Sequence, residues 1–311
     1  MKVLAFGEIL WDIIKGIEHL GGAAFNFAAH MAQCGNHAHI ISRVGSDHLG
    51  TRAFSESIEY GVDASFIQRD DFFPTGVVDV TLNDGQPEYV IRPDAAFDYI
   101  SANSVLARLK RNYFDIFYFG SLAQRNVVSE QALYKILSGN DFKHIFYDVN
   151  LRKSGYSEKI IRNSLAACTI FKLNKEEVRT VSHLLTGYQL SDDTFCSCVK
   201  SLYPAIRIII ITASESGCFI YESDLQYVPG TPVTVCDAVG SGDAFSASFM
   251  HIYAASGDAV MAAGIANQVG AFVATQAGAI PKYSHEIASI LKTNIKMSIN
   301  NIKMSINSGS R

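Results

Sequence analysis

Apolar runs and helix-periodic stretches take turns along almost the whole chain, and that alternation leaves few architectures open. The runs Val3–Gly7, His39–Ser42, Phe114–Phe119, His144–Asp148, Thr169–Leu173 and Ile206–Thr212 read as strands. Several are apolar without a break, as in parallel strands buried on both faces. Helical patterns lie between them. Over Gly22–Cys34, Phe25, Ala28, Ala29 and Ala32 form one apolar stripe, with Gly35 placed to end the helix. Ser101–Asn112 opens on a capping Ser and turns Val105, Leu106 and Leu109 inward. Such alternation builds an α/β domain, a central and mostly parallel sheet flanked by helices. A chain of 311 residues is long enough to bury that core.

One region breaks the rhythm. From about Ser65 to Ile91 the pattern is of short strands, Ser65–Gln68, Gly76–Leu82 and Glu88–Ile91, with Asn83-Asp84-Gly85-Gln86 as a tight turn. Such an insert is either an antiparallel edge extension of the main sheet or a small β-strand lid over a site that must exclude water. The motifs below favour a lid, drawn from about residues 13–20 and 65–92. At the far end, Asn294–Asn300 is repeated verbatim as Asn301–Asn307. Two copies are too few for a coiled coil. The domain is therefore taken as residues 1–293, and 294–311 as a duplicated or appended tail without a functional role.

Charge and composition exclude some classes. Lys and Arg number 26 against 30 Asp and Glu, with no basic run, so a nucleic-acid partner is not expected. No apolar stretch approaches the roughly 18 residues of a membrane span. Glu8 and Asp12 follow the short apolar start closely, which makes it a first buried strand and not a signal peptide. The six cysteines are scattered, and Cys196 and Cys198 would point to different faces of a helix. They read as small buried hydrophobes in a reducing compartment, with the cytoplasm as the expected location.

The most informative segment is Asp237-Ala238-Val239-Gly240-Ser241-Gly242-Asp243-Ala244-Phe245. Two glycines and a serine lead straight into a helix of small residues. Backbone N–H groups bared at a helix start form a concave anion site, suited to charge developing on a transferring phosphoryl group. Asp243 in the first turn is a candidate base for a substrate hydroxyl, or else an N-capping Asp of an ordinary helix. A dinucleotide fingerprint would need a third glycine, and no P-loop lysine or protein-kinase signature is present. The second segment is Gly21-Gly22-Ala23-Ala24-Phe25-Asn26. Gly22 and Asn26 share one helix face, a bare backbone beside an amide. That suits hydroxyl recognition, and it equally suits a plain loop-to-helix transition.

Taken in order, these motifs resemble the ribokinase-like, or PfkB, family of carbohydrate kinases. The resemblance runs from Val3 to about Pro281 and includes Val44-Gly45-Ser46-Asp47 with Gly50, Asp148-Val149-Asn150-Leu151-Arg152, Asn174-Lys175-Glu176-Glu177 and Thr212-Ala213-Ser214-Glu215-Ser216-Gly217. It implies ATP with Mg2+, Asp243 as catalytic base, and Gly240, Ser241 and Gly242 with the Asp243 amide as an anion hole. It also implies that Asn174 and Glu177 organise magnesium through water, which suits an ion that keeps several waters. Thr212, Ser214 and Gly217 would shape the nucleotide side, with Asn174 and Asn267 near it. Asp12, Gly22 and Asn26 would hold sugar hydroxyls, with Arg92 and Arg152 as further substrate contacts. Two departures stand out: Ser214 where the family usually has glycine, and Ala238 and Ser241 where it usually has Thr and Ala. Neither removes the base or the glycines, so activity is expected.

Within the family, Gly7-Glu8-Ile9-Leu10-Trp11-Asp12, Asp148 to Arg152 and Arg92-Pro93-Asp94-Ala95-Ala96 look most like fructokinases. The expected reaction is fructose to fructose 6-phosphate, with 2-keto-3-deoxygluconate kinase and ribokinase as rivals. A phosphorylated sugar would need the cations of Lys15, Arg92 and Arg152. From another class stands a catalytically silent sugar-binding regulator on the same fold. The family sometimes carries a monovalent cation such as K+, with Asp237 and the loop around Gly278 as its pointers here. An exposed edge of the lid strands could pair with a second copy to form a homodimer.

Overall fold

The computed structural model describes residues 1–14, 16–83, 86–153 and 155–293, with side chains at 1–13, 16–79, 90–153 and 155–293. Lys15, the Asp84-Gly85 centre of the expected turn, and the repeated tail lie outside them. The first half runs β1 (Lys2–Phe6), β2 (Leu10–Ile14), β3 (Ile17–Gly21), α1 (Ala23–Gln33), β4 (His37–Gly45), α2 (His48–Glu59), β5 (Ile67–Asp70), β6 (Gly76–Asn83), β7 (Gln86–Ile91), α3 (Asn103–Leu109), β8 (Phe114–Gly120) and α4 (Val127–Ser138). The second runs β9 (Phe142–Asp148), α5 (Glu158–Ala167), β10 (Ile170–Asn174), α6 (Lys175–Thr186), α7 (Asp192–Leu202), β11 (Ile208–Thr212), β12 (Gly217–Tyr221), β13 (Leu225–Pro229), α8 (Ser241–Ser256) and α9 (Ala259–Ala274).

Among the described residues, nine strands form one sheet in the order β13-β12-β11-β10-β9-β8-β1-β4-β5. It is parallel from β5 to β11 and ends in the antiparallel β12 and β13. The unbroken apolar runs have their reason in its two buried faces, because successive side chains of a strand point to opposite sides. Val3, Ala5, Ile208 and Ile210 enter one core with α1, α8 and α9; Leu4, Phe6, Ile209 and Ile211 enter the other with Leu133, Ile161 and Val181. No described helix is long and apolar enough to cross a membrane.

The second sheet, β3-β2-β6-β7, stands apart from the first. It begins at Leu10, earlier than the expected residue 13, since Leu10 and Trp11 are buried and the Trp11 indole N–H donates to the Leu49 carbonyl at 3.1 Å. The expected lid strand Ser65–Gln68 instead joins the main sheet. There β5 pairs in parallel with β4, Ser42 opposite Ile67, while 64–66 form a single helical turn. Ser101 does not cap α3. Its amide and carbonyl are taken by the Gln68 side chain at 2.9 and 3.0 Å, so the helix starts later, after Ala102.

Candidate active site

In a parallel sheet every strand ends at the same edge, and ligands gather outside the carboxyl ends. Glu8 follows β1, while Asp148, Asn174 and Thr212 close β9, β10 and β11. The N-termini of α1 and α8 meet there. Asn26 of α1 donates from Nδ2 to Oδ2 of Asp243 at 2.8 Å. The Asn26 side chain is buried, and its Oδ1 has no partner among the described residues, which leaves an acceptor beside the carboxylate.

Asp243 is half-buried in the first turn of α8. Burial pushes its carboxyl up to about 7; the Asn26 amide pulls it down, the Asp148 carboxylate raises it, and Lys172 and Arg152 lower it. Such a group is ionised or protonated by small changes near neutral pH, as a general base requires. The turn before it depends on glycine. Gly240 has φ +78, and a Cβ there would fall 2.2 Å from the Ala279 carbonyl oxygen. The Ala244 N–H is bonded to the Gly240 carbonyl at 2.9 Å. Among the described hydrogen bonds none uses the amides of Gly242 or Asp243, the groups a helix start leaves for an anion. Ser241 folds back on the loop, its Oγ donating to the Ala238 carbonyl at 2.8 Å.

Behind Asp243 lies an ion pair that the sequence reading passed over. Lys172 Nζ donates to the two Asp148 carboxylate oxygens at 2.9 and 3.1 Å, and Ser246 Oγ to Asp148 at 3.1 Å. Both partners are buried. Burial alone would lower the Lys172 ammonium, but the Asp148 charge and its hydrogen bond outweigh that and the pKa ends above its usual value. A lone cation inside the apolar strand Ile170-Phe171-Lys172-Leu173 was the available signal, since a buried charge demands a partner. Glu8 was missed in the same way. It is buried, and Oε1 accepts from the Ala23 amide at 2.9 Å, capping α1. Gly22, with φ +107, passes so close that a Cβ would lie 2.6 Å from the Glu8 carbonyl oxygen.

Asp12 stands on β2 opposite His19 of β3. Burial raises its carboxyl, while Arg152 and His19 draw it down. Arg152 is exposed, makes no ion pair among the described residues, and acts on Glu8, Asp12 and Asp243 together. Arg92 is placed differently: it forms a two-bond pair with Asp79 at 2.6 and 2.7 Å on the lid sheet, mostly exposed. Asn267 is likewise engaged, its Nδ2 donating to the Val228 and Pro229 carbonyls at 3.4 and 2.9 Å and so fixing the end of β13.

Thr212, expected on the nucleotide side, pairs in register with Asn174 and Cys218. Gly217 has φ +100, and a Cβ would meet the Val228 carbonyl oxygen at 2.2 Å. Ser214 also has a positive φ, +50, which serine adopts at a cost. Replacing it with glycine removes strain of order 1–3 kcal/mol against the entropic cost of a glycine of about 0.5–1 kcal/mol. Ser214→Gly is therefore expected to add about 1 kcal/mol of stability and to raise the urea midpoint accordingly, and an unchanged midpoint would contradict the strain.

Asn174 and Glu177 form a reciprocal cap on α6. Asn174 Oδ1 accepts from the Glu176 and Glu177 amides, and Glu177 takes the Asn174 amide on Oε2 and the Leu151 amide on Oε1, at 2.8 and 2.7 Å. Each carboxylate oxygen keeps a second lone pair, so the pair fits a magnesium ion that retains its waters and does not fit direct ligation. Burial raises the Glu177 carboxyl, and the Asp148 charge adds to it. Asp237 accepts from the Val239 and Gly278 amides, joining the two segments singled out for a monovalent cation.

The sequence matches the pfkB carbohydrate kinase family over residues 14–286. It is 24% identical over 316 residues to fructokinase-1 of Oryza sativa subsp. japonica, covering 92% of this chain and 95% of that one. In fold it resembles a fructokinase from Vibrio cholerae O395 in its fructose, ADP and calcium ion bound form, with a TM-score of 0.79 at 20% identity over 94% of this chain and 99% of that one. An aminoimidazole riboside kinase from Salmonella enterica, complexed with aminoimidazole riboside and an ATP analog, gives 0.76 at 20% identity over 95% and 100%. Since the match spans most of the chain, both glycine turns and the start of the helix that carries Asp243 among it, the chain belongs to the pfkB family of carbohydrate kinases.

Proposed function

We propose that the protein transfers the γ-phosphoryl group of ATP to the primary hydroxyl of fructose, giving fructose 6-phosphate. One observation carries the reading: a carboxylate raised to about 7, held by Asn26, at the start of a helix entered through two glycines. Asp243 accepts the hydroxyl proton as the sugar oxygen attacks the γ-phosphorus in line. The oxygen–phosphorus bond forms, the bond to the β–γ bridging oxygen breaks, and ADP leaves with that electron pair. The amides of Gly242 and Asp243 would face the charge that develops. Asp12 and Asn26, whose Oδ1 has no partner among the described residues, would take sugar hydroxyls. Magnesium, when bound with ATP, neutralises phosphate charge, and Asn174 and Glu177 would hold its waters.

Arg152 favours a second reading. An exposed guanidinium beside Asp12 and Asp243 suits a sugar acid, so 2-keto-3-deoxygluconate is the competing acceptor. ADP release is measured with ATP, magnesium and each of fructose, ribose, 2-keto-3-deoxygluconate, fructose 6-phosphate and adenosine. Turnover with fructose well above the rest is expected. Turnover confined to 2-keto-3-deoxygluconate would transfer the assignment to the acid sugar, and silence on all five would overturn the sugar-kinase reading.

A further inference from the structure

One face of α1 works on both segments that frame the site. Asn26 holds Asp243. Four residues on, His30 Nε2 meets the Ala279 carbonyl at 3.0 Å. Three further on, Gln33 donates to the Pro281 carbonyl at 3.1 Å and accepts from the Tyr283 amide at 3.0 Å. Spacings of four and seven put all three side chains on the same side of the helix.

The protonation of His30 follows from its partners. A carbonyl oxygen can only accept, so Nε2 carries the hydrogen; Nδ1 is then the acceptor, and the Tyr283 hydroxyl donates to it at 2.9 Å. The ring is fully buried, and burial pushes it down to about 4, so it stays neutral in this one tautomer near neutral pH. The oxygen it holds is the same Ala279 oxygen that a Cβ on Gly240 would strike at 2.2 Å. Gly240, at φ +78, is the residue that swings the chain into α8.

We propose that His30 is a positioning residue for phosphoryl transfer: it locks the Ala279 carbonyl as the backstop of Gly240 and so sets the 240–242 turn relative to Asp243. This rests on the reading of that turn as the anion hole of a sugar kinase. His30 touches no substrate and acts through Ala279. The rest of its helix, Ala-Ala-Phe-Asn-Phe-Ala-Ala-His-Met-Ala-Gln, is mostly apolar, and an apolar side chain would fill the same space without the desolvation of two ring nitrogens.

The test compares kcat, KM for sugar and ATP, and Tm in wild type, His30→Leu, His30→Gln, Tyr283→Phe and the His30→Leu/Tyr283→Phe double variant. A glutamine amide can stand in for Nε2–H, and leucine cannot. His30→Leu is expected to lower kcat by about tenfold or more with sugar KM within about twofold, because a misplaced anion hole penalises the transition state and not binding. His30→Gln should recover most of the loss. Tyr283→Phe, which frees the tautomer, should cost about threefold, and the double variant should be no worse than His30→Leu, since both act through one bond. Hydrogen exchange over residues 237–244 reads the same coupling without catalysis: faster in His30→Leu, near wild type in His30→Gln. Additive losses, glutamine no better than leucine at matched Tm, or unchanged exchange would each overturn the proposal. If His30→Leu does not fold, His30→Gln and Tyr283→Phe decide it. A wild type inactive on every sugar sinks the kinase reading, and the exchange measurement then still decides the link between His30 and Gly240.

Discussion

Asp243→Asn is expected to lose phosphoryl transfer by about 10²–10⁴-fold in kcat while gaining thermal stability above neutral pH. The two effects have one cause. The carboxyl has an ordinary value of 3.8 in the unfolded chain and about 7 in the folded one, because burial disfavours its charge. Below pH 3.8 it is protonated in both states and makes no difference to stability. Between the two values the folded protein holds a proton that the unfolded chain has lost, so stability falls as pH rises. Above 7 the loss is complete. Asparagine carries no charge at any of these values and still offers Oδ1 to Asn26. The Tm difference between variant and wild type should therefore open between pH 4 and 7 and stay constant beyond. In the wild type the acid limb of the kcat/KM profile should turn near pH 7, where Asp243 of the free protein ionises. Thermal scans at pH 5 and 8 beside ADP release check both. A variant that kept its rate, or whose Tm advantage did not grow with pH, would remove Asp243 from the role.

The largest loss of stability is expected at Asp148. Its carboxylate takes both bonds from Lys172 and one from Ser246 in a buried position. Asp148→Ala leaves the ammonium buried without its counter-charge, which costs about 3–5 kcal/mol. Urea unfolding should show the midpoint fall by that free energy divided by the slope, with the slope unchanged. The companion Asp148→Ala/Lys172→Met should recover most of it, because a well-packed apolar pair of similar volume avoids both desolvation penalties. Equal instability in single and double variants would mean that packing, and not the orphaned charge, sets the cost. Asp148→Asn carries a catalytic consequence as well. Asp148 is one of the groups that raise Asp243, so removing its charge should move the acid limb of the rate profile to lower pH.

The parallel core was legible because strands buried on both faces have nowhere to put a polar residue, and their sequences show it. Lys172 is the instructive exception: it sits in such a strand, and its partner waits at the end of the neighbouring one. Both glycine turns were legible because positive φ and close backbone approach leave little but glycine. Strand partnership was not. Ile67-Gln68-Arg69-Asp70 alternates too weakly to say which sheet it joins, and only pairing with β4 decides it. The β12–β13 hairpin hid behind the turn at Gly217, whose glycine drew attention away from the apolar run that follows. The bond from Asn26 to Asp243 spans 217 positions, beyond the reach of any periodicity. Arg92, read as a substrate contact from its place after the lid strand, spends its guanidinium on Asp79.

That span has a consequence for how the molecule is made. Helix α1 leaves the ribosome early, and the helix it packs against, α8, is among the last elements to follow. Asn26 waits for Asp243, and His30 and Gln33 wait for residues 279–283, which follow later still. Closing so long a loop is slow. A chain cut short before residue 243 lacks Asp243 and also α8 and α9, the cover of one whole face of the sheet.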